Sequence, residues 1–169
     1  MEARPKIKIN LTQFDKVLEI GGIILIVIMW TLTAFNYYQS PETVPIHFNL
    51  SGQPDGYGSK MTLLFLPIIP TAIYFGLTQL IKYPHIYNYM IKITEENAKR
   101  QYTIATRMIR ILKNSIVLIF IIDILSTLLM TLGLAKGLGA LSFPLTILIL
   151  AVPTIYLIFQ LLNKKEKVV

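Results

Sequence analysis

The run IGGIILIVIMWTLTAFNYYQSP, residues 20–41, holds no charged residue and exceeds the roughly 20 residues that a helix needs to cross a bilayer. Three more runs share its character. Residues 61–81 and 137–163 carry no charge, and residues 114–135 carry one, Asp123. Across the 169 residues, 54% are hydrophobic and 15% charged, against roughly 25% charged in soluble domains. A soluble helical bundle needs a polar stripe along each helix, and these runs have none. The chain therefore reads as a single domain over residues 1–169, an all-α integral membrane protein with four transmembrane helices. The spans are expected at residues 17–38, 61–82, 114–135 and 139–162. The first run follows a basic segment, as in a signal peptide. It is too long for one and has no small-x-small cleavage site near residues 34–38, so it reads as an uncleaved span.

The charges set the expected orientation. Arg4, Lys6, Lys8 and Lys16 precede the first run, and Lys164, Lys165 and Lys167 follow the last. Lys82, Lys92, Lys99, Arg100, Arg107, Arg110 and Lys113 lie between the second and third. Of 16 basic residues only Lys60 and Lys136 remain for the other side. The positive-inside rule then places the N and C termini in the cytoplasm, the loop 39–60 outside, and the connection 83–113 inside. Such a chain is a multi-pass protein of the cell membrane. Its net charge of +7 is accounted for by topology and by anionic lipid, so the lipid bilayer is the expected partner and nucleic acid is not. There are no cysteines, which excludes disulfides, thiol catalysis and thiolate metal sites.

Between the first two spans lies PETVPIHFNLSGQPDGYGSK, residues 41–60, a polar, turn-rich segment. Pro41 and Pro45 favour an extended entry, and Val44, Ile46 and Phe48 alternate with Pro45, His47 and Asn49 at the period of a strand. Ser51-Gly52 and Pro54-Asp55-Gly56 read as two turns, so a hairpin-like cap is expected. In it Val44, Ile46 and Phe48 would rest on the helix ends while His47 and Asn49 point away. Each polar residue could serve the loop's own backbone. Their density makes His47, Asn49, Asp55, Ser59 and Lys60 the candidate surface for recognising a ligand or partner.

The same stretch resembles the signature of a bacterial membrane family known as domain of unknown function 1648. That pattern runs Pro-x-x-x-Pro-x-His-Phe-Asn-x-x-Gly-x-Pro-Asp, followed shortly by Ser-Lys. Pro41, Pro45, His47, Phe48, Asn49, Gly52, Pro54, Asp55, Ser59 and Lys60 stand at its positions. The resemblance covers about the first half of the chain, and residues 84–102 with their TEENAKRQY core resemble what often follows the second span. The family forms the front part of SdpI-like proteins. Some of those confer immunity to a secreted sporulation-delay toxin and relay its presence to a repressor. The resemblance thus implies immunity or signalling, with a secreted peptide or another membrane protein as partner. No counterpart of the SdpI-type C-terminal domain is visible in the second half.

Two features lie outside that signature. Thr94, followed by Glu95 and Glu96, has the form of a helix N-terminus, and the helix after it is basic and amphipathic. Tyr102, Ala105, Ile109, Leu112 and Ile116 line one face. Lys99, Thr103, Thr106, Arg110 and Lys113 line the other, which is expected on the inner membrane surface or against a cytoplasmic partner. Farther on, Asp123 falls near the centre of the third span, where an unpaired carboxylate is costly. It should face the bundle or carry a proton, with Ser126, Thr127, Thr31, Thr71, Tyr74 and Thr154 as candidate neighbours. Asp123 and Tyr74 form the candidate intramembrane polar site. Glu19, at the inner edge of the first span, is expected to snorkel or cap. Pro67 and Pro70 should bend the second span, and Pro144 and Pro153 the fourth.

No metalloprotease helix, P-loop or dinucleotide fingerprint is present. His47 with Asp55 and Glu42 makes a thin metal set without a second histidine. No activated nucleophile accompanies His47. No catalytic residues, metal or cofactor are therefore expected. Two readings follow. One is a non-enzymatic membrane protein, immunity-related or envelope-sensing, working through the outer loop. The other is a small transporter or proton-coupled channel subunit centred on Asp123, in a homo-oligomer because four spans enclose little volume.

Overall fold

The computed structural model describes residues 4–137 and 142–162. Four long helices dominate: α1 Gln13–Gln39, α2 Phe65–Leu80, α3 Glu95–Thr131 and α4 Ser142–Leu162. Each lies in a segment long and apolar enough to cross a membrane. Between α1 and α2 an antiparallel hairpin pairs β1 Thr43–Phe48 with β2 Pro54–Ser59, and a 3-10 turn, Lys60–Leu64, leads into α2. The expected cap is thus a true two-stranded hairpin. The expected Lys164, Lys165 and Lys167 tail lies outside the described residues.

The polarity of the bundle is inverted relative to a soluble one. Val17, Ile20 and Val27 of α1 are 60–65% exposed, while Asp15, Thr33, Asn36, Arg110 and Lys113 are buried. Continuous apolar outer faces of this kind require an apolar surrounding, which lipid supplies. The apolar centre is small: Ile26 and Met29 from α1, Tyr74 from α2, and Val117, Ile121 and Ile124 from α3.

Helix α3 organises the rest, packing on α1, α2 and α4. It starts at Thr94, whose backbone N–H donates to Asn97 Oδ1 at 3.0 Å, with Glu95 and Glu96 in its first turn. From there it runs unbroken for 37 residues, about 55 Å, so the basic amphipathic helix and the third span are one rod. It stops four residues before the expected end of that span. Gly133, at φ +72°, takes the left-handed conformation that closes a helix, and the Leu134 N–H reaches back to the Leu129 carbonyl at 2.8 Å. Gly133 and Gly137 therefore belong to a helix end and a loop.

The α1–α3 pair is parallel and in register. The side-chain bonds between them join residues separated by 91 to 96 in sequence, from Asp15 with Arg107 at one end to Ser40 with Thr131 at the other. At the far end Asn36 is buried. Its Nδ2 donates to Thr127 Oγ1 at 2.8 Å, and its Oδ1 accepts from Ser40 and Thr131 hydroxyls, each at 3.3 Å.

Candidate functional site: a hairpin-capped cavity around Asp123

The residues of the loop signature hold the hairpin in shape. Asn49 Oδ1 accepts from the N–H groups of Ser51 (2.9 Å) and Gln53 (3.1 Å), which folds the turn around Gly52 at φ +73°. The reversal thus falls at residues 49–53. Pro54-Asp55-Gly56, expected to be a turn, instead opens β2. The strand register slips on both sides of His47, leaving Ile46 and Asp55 without opposite residues. Such bulges re-aim a side chain, and here Asp55 reaches across the hairpin to His47 Nδ1 at 2.5 Å. Ser59 Oγ accepts from the Met61 N–H at 3.3 Å, and Lys60 pairs with Glu42 at 2.8 Å while lying 5.1 Å from the Tyr37 ring centre. Glu42 is therefore taken by Lys60 and does not join His47 and Asp55.

Only part of the expected strand pattern holds. Val44 is buried, and Ile46, though half exposed, lines a cavity beneath the hairpin with Phe48. His47 is exposed, as expected. The hairpin tip lies against the α3–α4 connection, where a Cβ on Gly137 would overlap the Gly52 carbonyl oxygen. Only glycine allows that approach.

Beneath the hairpin are two cavities of about 240 Å³ each. Phe48 and Asp123 line both. Pro45, Leu63, Leu66 and Thr127 contribute to the first; Asn49, Leu50, Phe143 and Thr146 contribute to the second. Asp123 sits eight residues, about 12 Å of helix rise, below the end of α3 at Thr131. Of the loop residues expected to recognise a ligand, Asn49 shares a cavity with Asp123, whereas His47, Asp55, Ser59 and Lys60 line neither.

Among the described residues Asp123 has no hydrogen-bond or ion-pair partner, and none of its six expected neighbours serves it. Thr31, Ser126 and Thr154 hydroxyls donate to carbonyls of their own helices, and Thr71 accepts from Trp30 Nε1 at 3.1 Å. Thr127 is used by Asn36 and by the Ile124 carbonyl. Tyr74 belongs to a separate cluster toward the N-terminal end of α1. What remains is a carboxyl group without a partner, lining two cavities whose walls mix apolar side chains with Thr127, Asn49 and Thr146. A cation or a strong hydrogen-bond donor would satisfy it.

The separate cluster was not anticipated. Lys113 is fully buried. Its Nζ donates to Glu19 Oε2 at 2.6 Å and to Thr78 Oγ1 at 2.8 Å, and faces the Tyr74 ring at 4.1 Å. Arg110 Nε donates to Glu19 Oε1 at 2.9 Å, and one turn earlier Arg107 Nε pairs with buried Asp15 at 2.9 Å. Glu19 is thus the shared partner of two cations. The face of α3 carrying Thr106, Arg110 and Lys113 was expected at the membrane surface; it turns inward because α1 offers carboxylates there. Gly22 makes room, since a Cβ on it would overlap Tyr74 Oη and Asn114 Oδ1. A usable signal was present in the spacing: acids four apart at Asp15 and Glu19, bases three apart at Arg107 and Arg110.

Residues 24–71 match the family model of a domain of unknown function, DUF1648. The DUF1648 match runs from within α1 through the hairpin to the first turns of α2. It contains His47, Asn49, Asp55, Ser59 and Lys60, and it leaves out Glu19, Tyr74, Asp123 and all of α3. An uncharacterized protein of Archaeoglobus fulgidus is 37% identical over 106 residues, covering 54% of this chain and 57% of that relative. No solved structure matches the chain.

Proposed function

We propose that the chain is a non-enzymatic, multi-pass membrane protein with both termini in the cytoplasm, and that it recognises a cationic, partly apolar ligand from outside. The hairpin would form the lid and Asp123 the charged floor. The observation that carries this reading is the pairing of Phe48 and an unpartnered Asp123 around the same two cavities. A peptide presenting an amine or guanidinium beside apolar side chains fits both the carboxylate and the walls. Immunity to a secreted peptide, or sensing of one, is the biological form that the SdpI-like resemblance adds. Helix α3, continuous from Asp123 to the inner clamp, would carry a bound signal inward.

A small transporter or proton-coupled channel centred on Asp123 is the second reading, and the same unpaired carboxylate favours it. Against it stands the buried apolar core of Ile26, Met29, Tyr74, Val117, Ile121 and Ile124, whose α3 members lie between Asp123 and Lys113 or next to Asp123 in the chain. The test is a deletion strain challenged with secreted cationic peptides and complemented by wild type, His47→Ala or Asp123→Asn. Recognition predicts that wild type restores resistance and both variants fail, with no proton or cation flux in reconstituted vesicles. Flux that disappears in Asp123→Asn would establish transport instead. Unchanged sensitivity of the deletion strain would refute immunity.

A further inference from the structure

A third cavity, of about 300 Å³, lies at the opposite end of the bundle from the hairpin, between the N-terminal segment, the end of α2 and α3. Lys8, Lys82 and Arg110 line it together with Thr106, and no acidic residue does. Lys8 and Lys82 are exposed, and Arg110 is buried to 5%. Among the described residues Lys8 has no polar partner, and Lys82 Nζ meets only the neutral Gln79 amide at 2.7 Å. Arg110 commits its Nε to Glu19, while its terminal nitrogens bond no described residue.

The charge behind this wall is unbalanced. Lys113 Nζ donates to Glu19 and Thr78 and lies over the Tyr74 ring. It and Arg110 share the single carboxylate of Glu19, which leaves one buried positive charge without a counter-ion. Buried charge is tolerated when paired, so the arrangement calls for an anion on the open side of Arg110. A free guanidinium edge suits the geometry of phosphate oxygens, and two exposed lysines add point charges. Ile7, Ile9 and Ile81 give the same cavity apolar walls.

We propose that this cavity binds a phosphate group, carried either by an anionic lipid headgroup or by a free phosphate. The site is independent of the Asp123 cavity. Purified protein in mixed neutral and anionic lipid is examined by native mass spectrometry, and protein in neutral detergent is titrated with inorganic phosphate while its melting temperature is followed. The variant is Lys8→Gln/Lys82→Gln, which alters two exposed residues. Each lysine contributes about fivefold near a phosphate, so the pair should weaken binding about thirtyfold. Retained phosphatidylglycerol in wild type, lost from the variant, assigns a lipid headgroup. A saturable rise in melting temperature with inorganic phosphate, lost in the variant, assigns free phosphate. Neither response in wild type, or equal responses in both proteins, overturns the proposal. Should the double variant misfold, Lys8→Gln alone lies outside every helix and should weaken binding about fivefold.

Discussion

Replacing Glu19 by Gln would leave Arg110 and Lys113 in place and remove the one carboxylate between them. Their side chains are 6% and 0% exposed, and that of Glu19 is 30% exposed. Removing one partner of a buried pair costs about 3–5 kcal/mol, because the stranded charge cannot regain its hydration. Partial exposure of Glu19 screens some of that, bringing the expected loss to about 2–4 kcal/mol. For a chain of this size the melting temperature should fall by about 5–15 °C, measured on purified protein in neutral detergent. A companion variant separates stranded charge from lost contacts. Glu19→Gln with Arg110→Met and Lys113→Met leaves no charge in the cluster and should recover most of the loss, as apolar replacements of buried ion pairs often do. A single variant that melts like wild type would refute the reasoning. So would a triple variant less stable than the single.

Other consequences are independent of that cluster. Because the chain has no cysteine, a cysteine at Ser51 should react with an impermeant thiol reagent in intact cells, and one at Asn97 should not; the opposite pattern would reverse the proposed topology. Gly22→Ala should lower stability by about 1–3 kcal/mol through collision with Tyr74 and Asn114, whereas Gly21→Ala, which meets nothing, should not; thermal melting distinguishes them. His47→Ala should leave the melting temperature unchanged, since the His47–Asp55 pair is exposed, but should raise hydrogen exchange at residues 47–56. Burial pushes the Tyr87 phenol up to about 12, partly opposed by Arg110, and raises Tyr89 in the same direction. Their stabilising effect is complete below pH about 10, where an unfolded tyrosine begins to ionise, and is lost as pH rises toward 12. Tyrosinate absorbance should show that delay.

Much of the architecture was legible because lipid imposes a simple rule: a span needs an uninterrupted apolar run, and residues 20–41 and 61–81 are such runs. The hairpin was legible in Asn49, Gly52 and the alternation from Val44 to Phe48. Of the two expected turns, Ser51-Gly52 is the reversal that Asn49 closes, whereas Pro54-Asp55-Gly56, which favours a turn locally, is drawn into β2 and leaves Asp55 free to reach His47. The inward face of α3 was misread for a different reason. Amphipathicity shows that two faces differ, not which medium each meets. In a membrane bundle a basic face can turn to the interior when another helix supplies acids at matching height, as Asp15 and Glu19 do. Asp123 was recognised as anomalous, but its surroundings were not, because Phe48, on the loop that covers it, lies seventy-five residues away in sequence.

The central claim is that Asp123 opens to the outside beneath the hairpin. A single cysteine at position 123, in a chain with none of its own, tests this directly with a small impermeant methanethiosulfonate added to intact cells. Labelling from outside is the predicted result. A cysteine there that is silent from outside, yet reacts with a permeant reagent or from the cytoplasmic face of inverted vesicles, would contradict it.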